Sequence, residues 1–168
     1  RDLLNHDDKQ LQKRIESEGW GKSFLSKRLS NGHWGNKFYH PKWTSTHYTL
    51  LDIKNLNISP DCPAAKQAIK LILQNEKWKD GGINPSVTRP SDTCVTEMAQ
   101  KYIKNFKKKK KKLESLIDFC TKQVLPDGGF NCQYINGSGA VHSSLHTTIS
   151  ILEGLLEYRK NGYKYRLD

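Results

Sequence analysis

No stretch of this 168-residue sequence approaches eighteen consecutive apolar residues, which excludes a membrane-crossing helix of ordinary length. None of the four cysteines, Cys62, Cys94, Cys120 and Cys132, falls in a CxxC pair. A zinc ribbon or a dense disulfide framework is therefore not indicated, and reduced thiols are expected. No charged-then-apolar leader opens the sequence as given, so the expected compartment is the cytoplasm. Arg1 stands where an initiator methionine would, and the chain stops soon after an amphipathic run; both ends are expected to be cuts in something longer. Apolar residues are scarce at 35%, but 10% aromatic and 27% charged residues are unlike a disordered chain, and one domain with a core is expected. Acidic residues are outnumbered, 17 against 28 Lys and Arg, for a net charge of +11. The six lysines from Lys107 to Lys112 carry much of that excess, and without them the surplus falls to about five, ordinary for a domain of this size.

What the sequence does contain is repetition. Asn31-Gly32-His33-Trp34-Gly35, Asp80-Gly81-Gly82-Ile83-Asn84 and Asp127-Gly128-Gly129-Phe130-Asn131 superpose, their large apolar residues Trp34, Ile83 and Phe130 standing 49 and 47 positions apart. Each string reads as a tight turn followed by one buried anchor. After each turn comes a short polar loop and a segment of helical character, over residues 44–56, 92–106 and 144–158. Each opens with capping residues: Thr44 and Ser45, Ser91 and Asp92, Ser143 and Ser144. In the last segment Leu145, Ile149, Leu152, Leu155, Leu156 and Tyr158 form a broad apolar face at helical spacing. Before the turns lie further amphipathic stretches, 21–29, 64–74 and 113–124, and an N-terminal helix is expected over about residues 7–17. The fold class expected is all-α: one domain over 1–168, with helical hairpins over about 20–56, 62–106 and 113–160. Units of this length stack as an open solenoid or close into an α/α toroid.

The turn strings resemble the Asp-Gly-x-Trp-Gly core of the terpenoid-cyclase repeat and the Asp-Gly-Gly-Phe turns of protein prenyltransferase β-subunits. The likeness covers residues of about 20 to 160. The glutamine that the family places ahead of each turn is replaced by Arg28, Lys77 and Val124. The resemblance implies an arc of an α/α toroid, about half a ring, whose inner helices begin at one rim of a central cavity. Half a ring leaves apolar inner faces uncovered, so a second chain or a missing half that completes the ring is expected.

In protein prenyltransferases an Asp-x-Cys at the start of one inner helix and a His at the start of another hold a catalytic zinc. This sequence has Asp92-Thr93-Cys94 and, 52 residues after Cys94, His146-Thr147-Thr148 followed by a later Gly154. Asp92, Cys94 and His146 are thus the zinc ligands that the resemblance implies. Three ligands of types O, S and N leave one tetrahedral position open, as in catalytic zinc sites. His47, assigned to the position of Cys94 in the first repeat, is a further ligand or a cavity-lining group, and His142 stands four residues before His146. Trp43, His47, Tyr48 and His142 are expected to line a substrate cavity, aromatic faces suiting an isoprenoid chain.

Each residue also has a plainer role: Asp92 as an N-cap, Cys94 as a buried small side chain, His146 as a core histidine, the aromatic residues as core and the lysines as a solvated helix start. The Asp-x-Asp-Asp acid of the protonating cyclases is represented only by Asp92, and only Arg89 stands near the site as a diphosphate-binding cation. The expected function is a prenyltransferase-like or terpenoid-cyclase-like enzyme, zinc-assisted, on an isoprenoid or other hydrophobic small molecule. The alternative is a non-catalytic toroid scaffold for a peptide, lipid or protein, with nucleic acid at the lysine run as a weaker option.

Overall fold

The computed structural model describes residues 8–85, 91–103, 110–132 and 139–166. These residues are all-helical: α1 Lys9–Ser17, α2 Gly19–Ser26, α3 Thr46–Asn55, α4 Pro63–Asn75, α5 Thr93–Ile103, α6 Lys110–Thr121 and α7 Leu145–Lys160. The only β-pairing among them is an isolated bridge between Lys77 and Ile83. No helix among the described residues is long and apolar enough to cross a membrane. The chain divides into two units, residues 1–71 and 72–168, with α4 running across the division.

The three turns share one hydrogen-bond scheme. In each, a backbone N–H donates across the turn, from Leu29 to the His33 carbonyl, Trp78 to Gly82 and Leu125 to Gly129, at 2.8, 3.0 and 2.9 Å. The Gly32, Gly81 and Gly128 N–H groups return to the Leu29, Trp78 and Leu125 carbonyls. Gly81 shows why glycine stands there: its φ is +97°, and a Cβ would lie 2.9 Å from the Ser115 carbonyl oxygen. Asp80 ties its turn to the next helix. One carboxylate oxygen accepts the Gly82 N–H and the other the Ser91 N–H, and Asp127 does the same with Gly129 and Ser143.

One threonine of each following helix then clamps the anchor residue. Thr46 Oγ1 accepts the Trp34 N–H at 3.0 Å and donates to the Trp34 carbonyl at 3.3 Å. Thr96 clamps Ile83 at 2.8 and 3.4 Å, and Thr148 clamps Phe130 at 3.0 and 3.3 Å. Both backbone groups of a buried residue are thereby satisfied by a single hydroxyl, which a loop entering a core requires. Trp34, Ile83 and Phe130 are all buried, as their role as anchors demands.

The residues at the position where the resemblance implied glutamine have a physical role of their own. Arg28 donates to the Gly32 carbonyl at 3.0 Å and Lys77 to the Gly81 carbonyl at 2.9 Å, so a cation supplies the donor in the first two turns. Arg28 also lies over the Trp34 ring, 5.5 Å from its centroid. Val124 can donate nothing and is exposed.

In the first unit α1 packs on α2 and α2 on α3. Asp8 caps α1 by accepting the Gln10 and Leu11 N–H groups, and Trp34, Phe38, Leu50 and Ile53 fill the core. In the second unit α5 packs on both α6 and α7. The apolar faces expected before the second and third turns are buried: Ala65, Ala68, Ile69, Ile72 and Leu73 on α4, and Leu113, Leu116, Ile117 and Cys120 on α6. At the start of α6, Lys112 Nζ donates to the Leu73 carbonyl at 3.0 Å and so satisfies one of the last carbonyls of α4. Lys107, Lys108 and Lys109 lie outside the described residues.

Helix α7 departs from expectation. Leu145, Ile149, Leu152 and Leu156 of its predicted apolar face are exposed, by 75, 46, 56 and 51%. Its buried face is Thr147, Ile151, Gly154 and Tyr158, of which Tyr158 alone belongs to the expected set. At about 100° per residue the two sets lie on opposite sides of the helix. The buried side meets α5 closely where Gly154 faces Glu97, whereas Leu145, Ile149, Leu152 and Leu156 have no cover among the described parts of the second unit.

Candidate thiol and carboxylate site

The beginnings of α5 and α7 lie side by side, because the two helices run parallel. Thr147 Oγ1 is 3.1 Å from Cys94 Sγ at one end, Gly154 meets Glu97 farther along, and Lys101 forms an ion pair with Glu153. Asp92 sits at the N-cap of α5, its Oδ1 accepting the Val95 N–H at 2.9 Å. The capping role anticipated for it is therefore filled, and its second carboxylate oxygen is left for other partners.

Cys132 completes the site. It follows the anchor Phe130 by two residues, and since Thr148 holds Phe130 against α7, the next turn of chain must pass over the start of that helix. The structure pairs Cys132 with Cys94 as a disulfide, their Cα atoms 6.1 Å apart, which corrects the expectation that these thiols are free. Cys62 and Cys120 are free and buried. Cys132 Sγ lies 3.7 Å from Asp92 Oδ1 and 3.9 Å from Thr147 Oγ1. The ligand atoms of Asp92, Cys94 and Cys132 all fall within 4.8 Å of one another, and all three residues are partly exposed.

Of the implied zinc set, Asp92 and Cys94 come together. His146 does not join them: it is exposed and stands outside the group of ligand atoms. The reason is helical geometry. Thr147 is the residue aimed at Cys94, and one residue earlier the side chain leaves the helix about 100° away. With the disulfide formed the set has no place for a metal, whereas two thiolates and a carboxylate are ligand types that a thiophilic divalent cation takes once the sulfurs have separated.

The other predicted site residues are distributed as follows. Trp43, His47 and Tyr48 cluster in the first unit: the Trp43 and Tyr48 rings are 4.8 Å apart and those of His47 and Tyr48 5.0 Å. Phe38 and Tyr39 complete the group, and the Tyr39 and Tyr48 hydroxyls share a hydrogen bond of 3.0 Å. Trp43 is 69% exposed at a φ of +76°, an unfavourable conformation for a bulky residue, with Lys42 Nζ 5.2 Å from its ring. His47 is buried, and burial lowers its imidazole to about 3, so it is neutral near pH 7. His142 is exposed and precedes the Ser144 cap, so it shares no helical face with His146; its carbonyl accepts from Asn131 Nδ2 at 2.8 Å. Arg89 lies outside the described residues. A hollow of about 280 Å³ lined by Leu11, Ile15, Trp20 and Leu56 contains none of the predicted residues.

The clamping threonines also correct the register of the first repeat. Thr46, Thr96 and Thr148 are equivalent, so Cys94 matches His146, as expected, but its counterpart in the first repeat is Thr44. His47 corresponds instead to Glu97 and Ile149. Glu97, which sequence reasoning passed over, is fully buried, and burial raises its carboxyl to about 8. Its Oε2 lies 3.8 Å from the Cys120 thiol. Comparison with protein-family models and with curated proteins finds no match to this chain.

Proposed function

We propose that the chain is an arc of an α/α toroid of the prenyltransferase and terpenoid-cyclase kind, acting on an isoprenoid or similarly apolar molecule. The observation that carries this reading is the threefold turn in which glycine, anchor and clamping threonine recur with the same hydrogen bonds. A second observation supports the arc. On the clamp register, Leu145, Ile149 and Leu152 of α7 correspond to Thr93, Glu97 and Gln100 of α5, which are buried, Glu97 against α7 itself. The uncovered side of α7 is thus the side on which a further inner helix would pack. An apolar ligand is supported by the exposed Trp43, held at positive φ beside Tyr48, a combination that stores backbone strain where a flat apolar contact is offered.

With its cysteines reduced, a zinc ion at the start of α5 would supply the binding of an acceptor thiol as thiolate. Asp92 and Cys94 would hold it, and the Thr147 hydroxyl would steady the Cys94 sulfur. The pairing of Cys94 with Cys132 favours the second reading, a non-catalytic scaffold, whenever the disulfide persists.

The test uses reduced protein supplied with zinc, titrated with farnesyl diphosphate and with farnesol while tryptophan fluorescence is followed. Mass spectrometry then searches for transfer of the isoprenoid to a small thiol. Quenching that disappears in Trp43→Ala, together with a thioether product, supports the enzyme. Quenching without product leaves the scaffold, and neither signal removes the isoprenoid reading.

A further inference from the structure

Asp92 caps α5, and the same carboxylate oxygen that accepts the Val95 N–H also faces the sulfurs. A disulfide needs no counter-charge and offers the carboxylate no hydrogen, yet Asp92 Oδ1 lies 3.7 Å from Cys132 Sγ. Beside two thiolates the same carboxylate would be repelled unless a cation stood among the three. The ligand atoms converge from two separate elements, the start of α5 and the loop after Phe130, and all lie within 4.8 Å of one another. Thr147 Oγ1, at 3.1 and 3.9 Å from the two sulfurs, is placed to donate to either of them, as an outer partner of a thiolate does.

We propose that Asp92, Cys94 and Cys132 form a redox-gated site for a thiophilic divalent cation, zinc foremost. In the oxidised state the Cys94–Cys132 bond closes it. A dithiol reductant opens it by two-electron exchange: the protein disulfide takes up two electrons and two protons to give two thiols, and the reductant becomes its own disulfide. The cation then displaces the two thiol protons and is bound by two thiolates and the Asp92 carboxylate, with a fourth tetrahedral position open to water or an incoming thiol. The partial exposure of Cys94 and Cys132 gives both reductant and metal access, whereas Cys62 and Cys120 are buried. This goes beyond the isoprenoid reading and does not depend on it, since it involves only the second unit and no organic ligand.

The experiment compares the full chain as oxidised protein and after anaerobic reduction with a phosphine that is then removed. Thiols are counted in denaturant, cobalt(II) is titrated while thiolate-to-metal absorption is followed, and zinc affinity is measured by competition with a chromophoric chelator. Oxidised protein should show two thiols and no cobalt absorption. Reduced protein should show four thiols and take up one equivalent per chain. Cys132→Ser and Cys94→Ser should each abolish the absorption, Asp92→Asn should weaken binding by about tenfold or more, and His146→Ala should leave it unchanged. Circular dichroism of each variant establishes that the helices remain.

Absence of metal uptake by reduced protein with four thiols overturns the site. Loss of uptake in His146→Ala with retention in Cys132→Ser overturns the ligand set in favour of the family's. Four thiols in protein purified and held under air overturn the gate. None of these outcomes bears on isoprenoid binding, which is read separately by fluorescence.

Discussion

Gly154→Ala sets helix propensity and packing against each other. Gly154 lies inside α7, where alanine is favoured over glycine by about 1 kcal/mol. From sequence alone the substitution should stabilise. In the structure a Cβ at this position would stand 1.2 Å from Glu97 Oε1 and 2.4 Å from its Cδ. Both positions are buried, so relief requires the carboxyl to rotate within a filled core or α5 and α7 to separate. Overpacking costs about 1 to 3 kcal/mol, and the 1.2 Å overlap with Glu97 Oε1 places this substitution in the upper part of that range, at about 2 to 3 kcal/mol. We expect a net loss of about 1 to 2 kcal/mol after the helix gain is subtracted. For a chain of this size that is a fall in Tm of roughly 2–8 °C. The assay is urea unfolding followed by far-ultraviolet circular dichroism, with the double variant Glu97→Ala/Gly154→Ala as control. Against the Glu97→Ala background the Gly154 substitution should be neutral or stabilising, because the atoms it meets are gone. A Gly154→Ala protein at least as stable as the parent would refute the close approach of α5 and α7, and with it the placement of Cys94 beside Thr147.

Three further outcomes follow from the same geometry. Glu97, raised to about 8 in the folded chain from an ordinary 4.5, contributes stability that is full below pH 4.5 and lost as pH rises through about 8; Glu97→Gln should flatten the decline in Tm over that window. His47 has the opposite sign: lowered to about 3 from 6.5, it contributes stability that is full above pH 6.5 and lost as pH falls through about 3, and His47→Phe should remove that acid-side slope. Thr96→Val deletes both bonds of the Ile83 clamp and should cost about 1–3 kcal/mol in urea unfolding, while Thr96→Ser, which keeps the hydroxyl, should recover most of it; a Thr96→Val protein as stable as the parent would refute the clamp.

Much of the architecture was legible because the turns carry their own physics. Glycine at positive φ, an anchor, and an asparagine or aspartate binding its own turn are local, and three copies in one chain identify the repeat. The helices were found to within a few residues for the same reason. The register of the first repeat was not legible from helix starts, since α3 begins with Thr46 at its first residue, while Thr96 and Thr148 come one turn inside α5 and α7. Alignment by helix start therefore put His47 opposite Cys94; alignment by the threonine puts it opposite Glu97. Cys132 was passed over because it lies on a loop, where periodicity is silent, although its place two residues after an anchor held to α7 was a usable signal. The faces of α7 were ambiguous for a different reason: a helix apolar on two sides does not say in its sequence which side has a partner.

The clamp also separates what the repeat must conserve for architecture from what it can vary for chemistry. Asp80, Asp127 and the three threonines have their polar atoms occupied by backbone, so they have little capacity for a ligand. The position two residues before each threonine is under no such constraint, and there the three units diverge: Thr44 and His146 are exposed, while Cys94 reaches a carboxylate and a second sulfur. The position after each threonine diverges as well, with His47 and Glu97 buried and neutral near pH 7 and Ile149 in the open. Among the described residues the metal-capable group thus arises in the second repeat, where a helix N-cap, the residue two beyond it and a loop from the following repeat coincide. A site made in that way depends on adjacent helices staying parallel and close, so the contact of Glu97 with Gly154, one or two turns below the sulfurs, governs whether Cys94 and Cys132 can share a ligand at all.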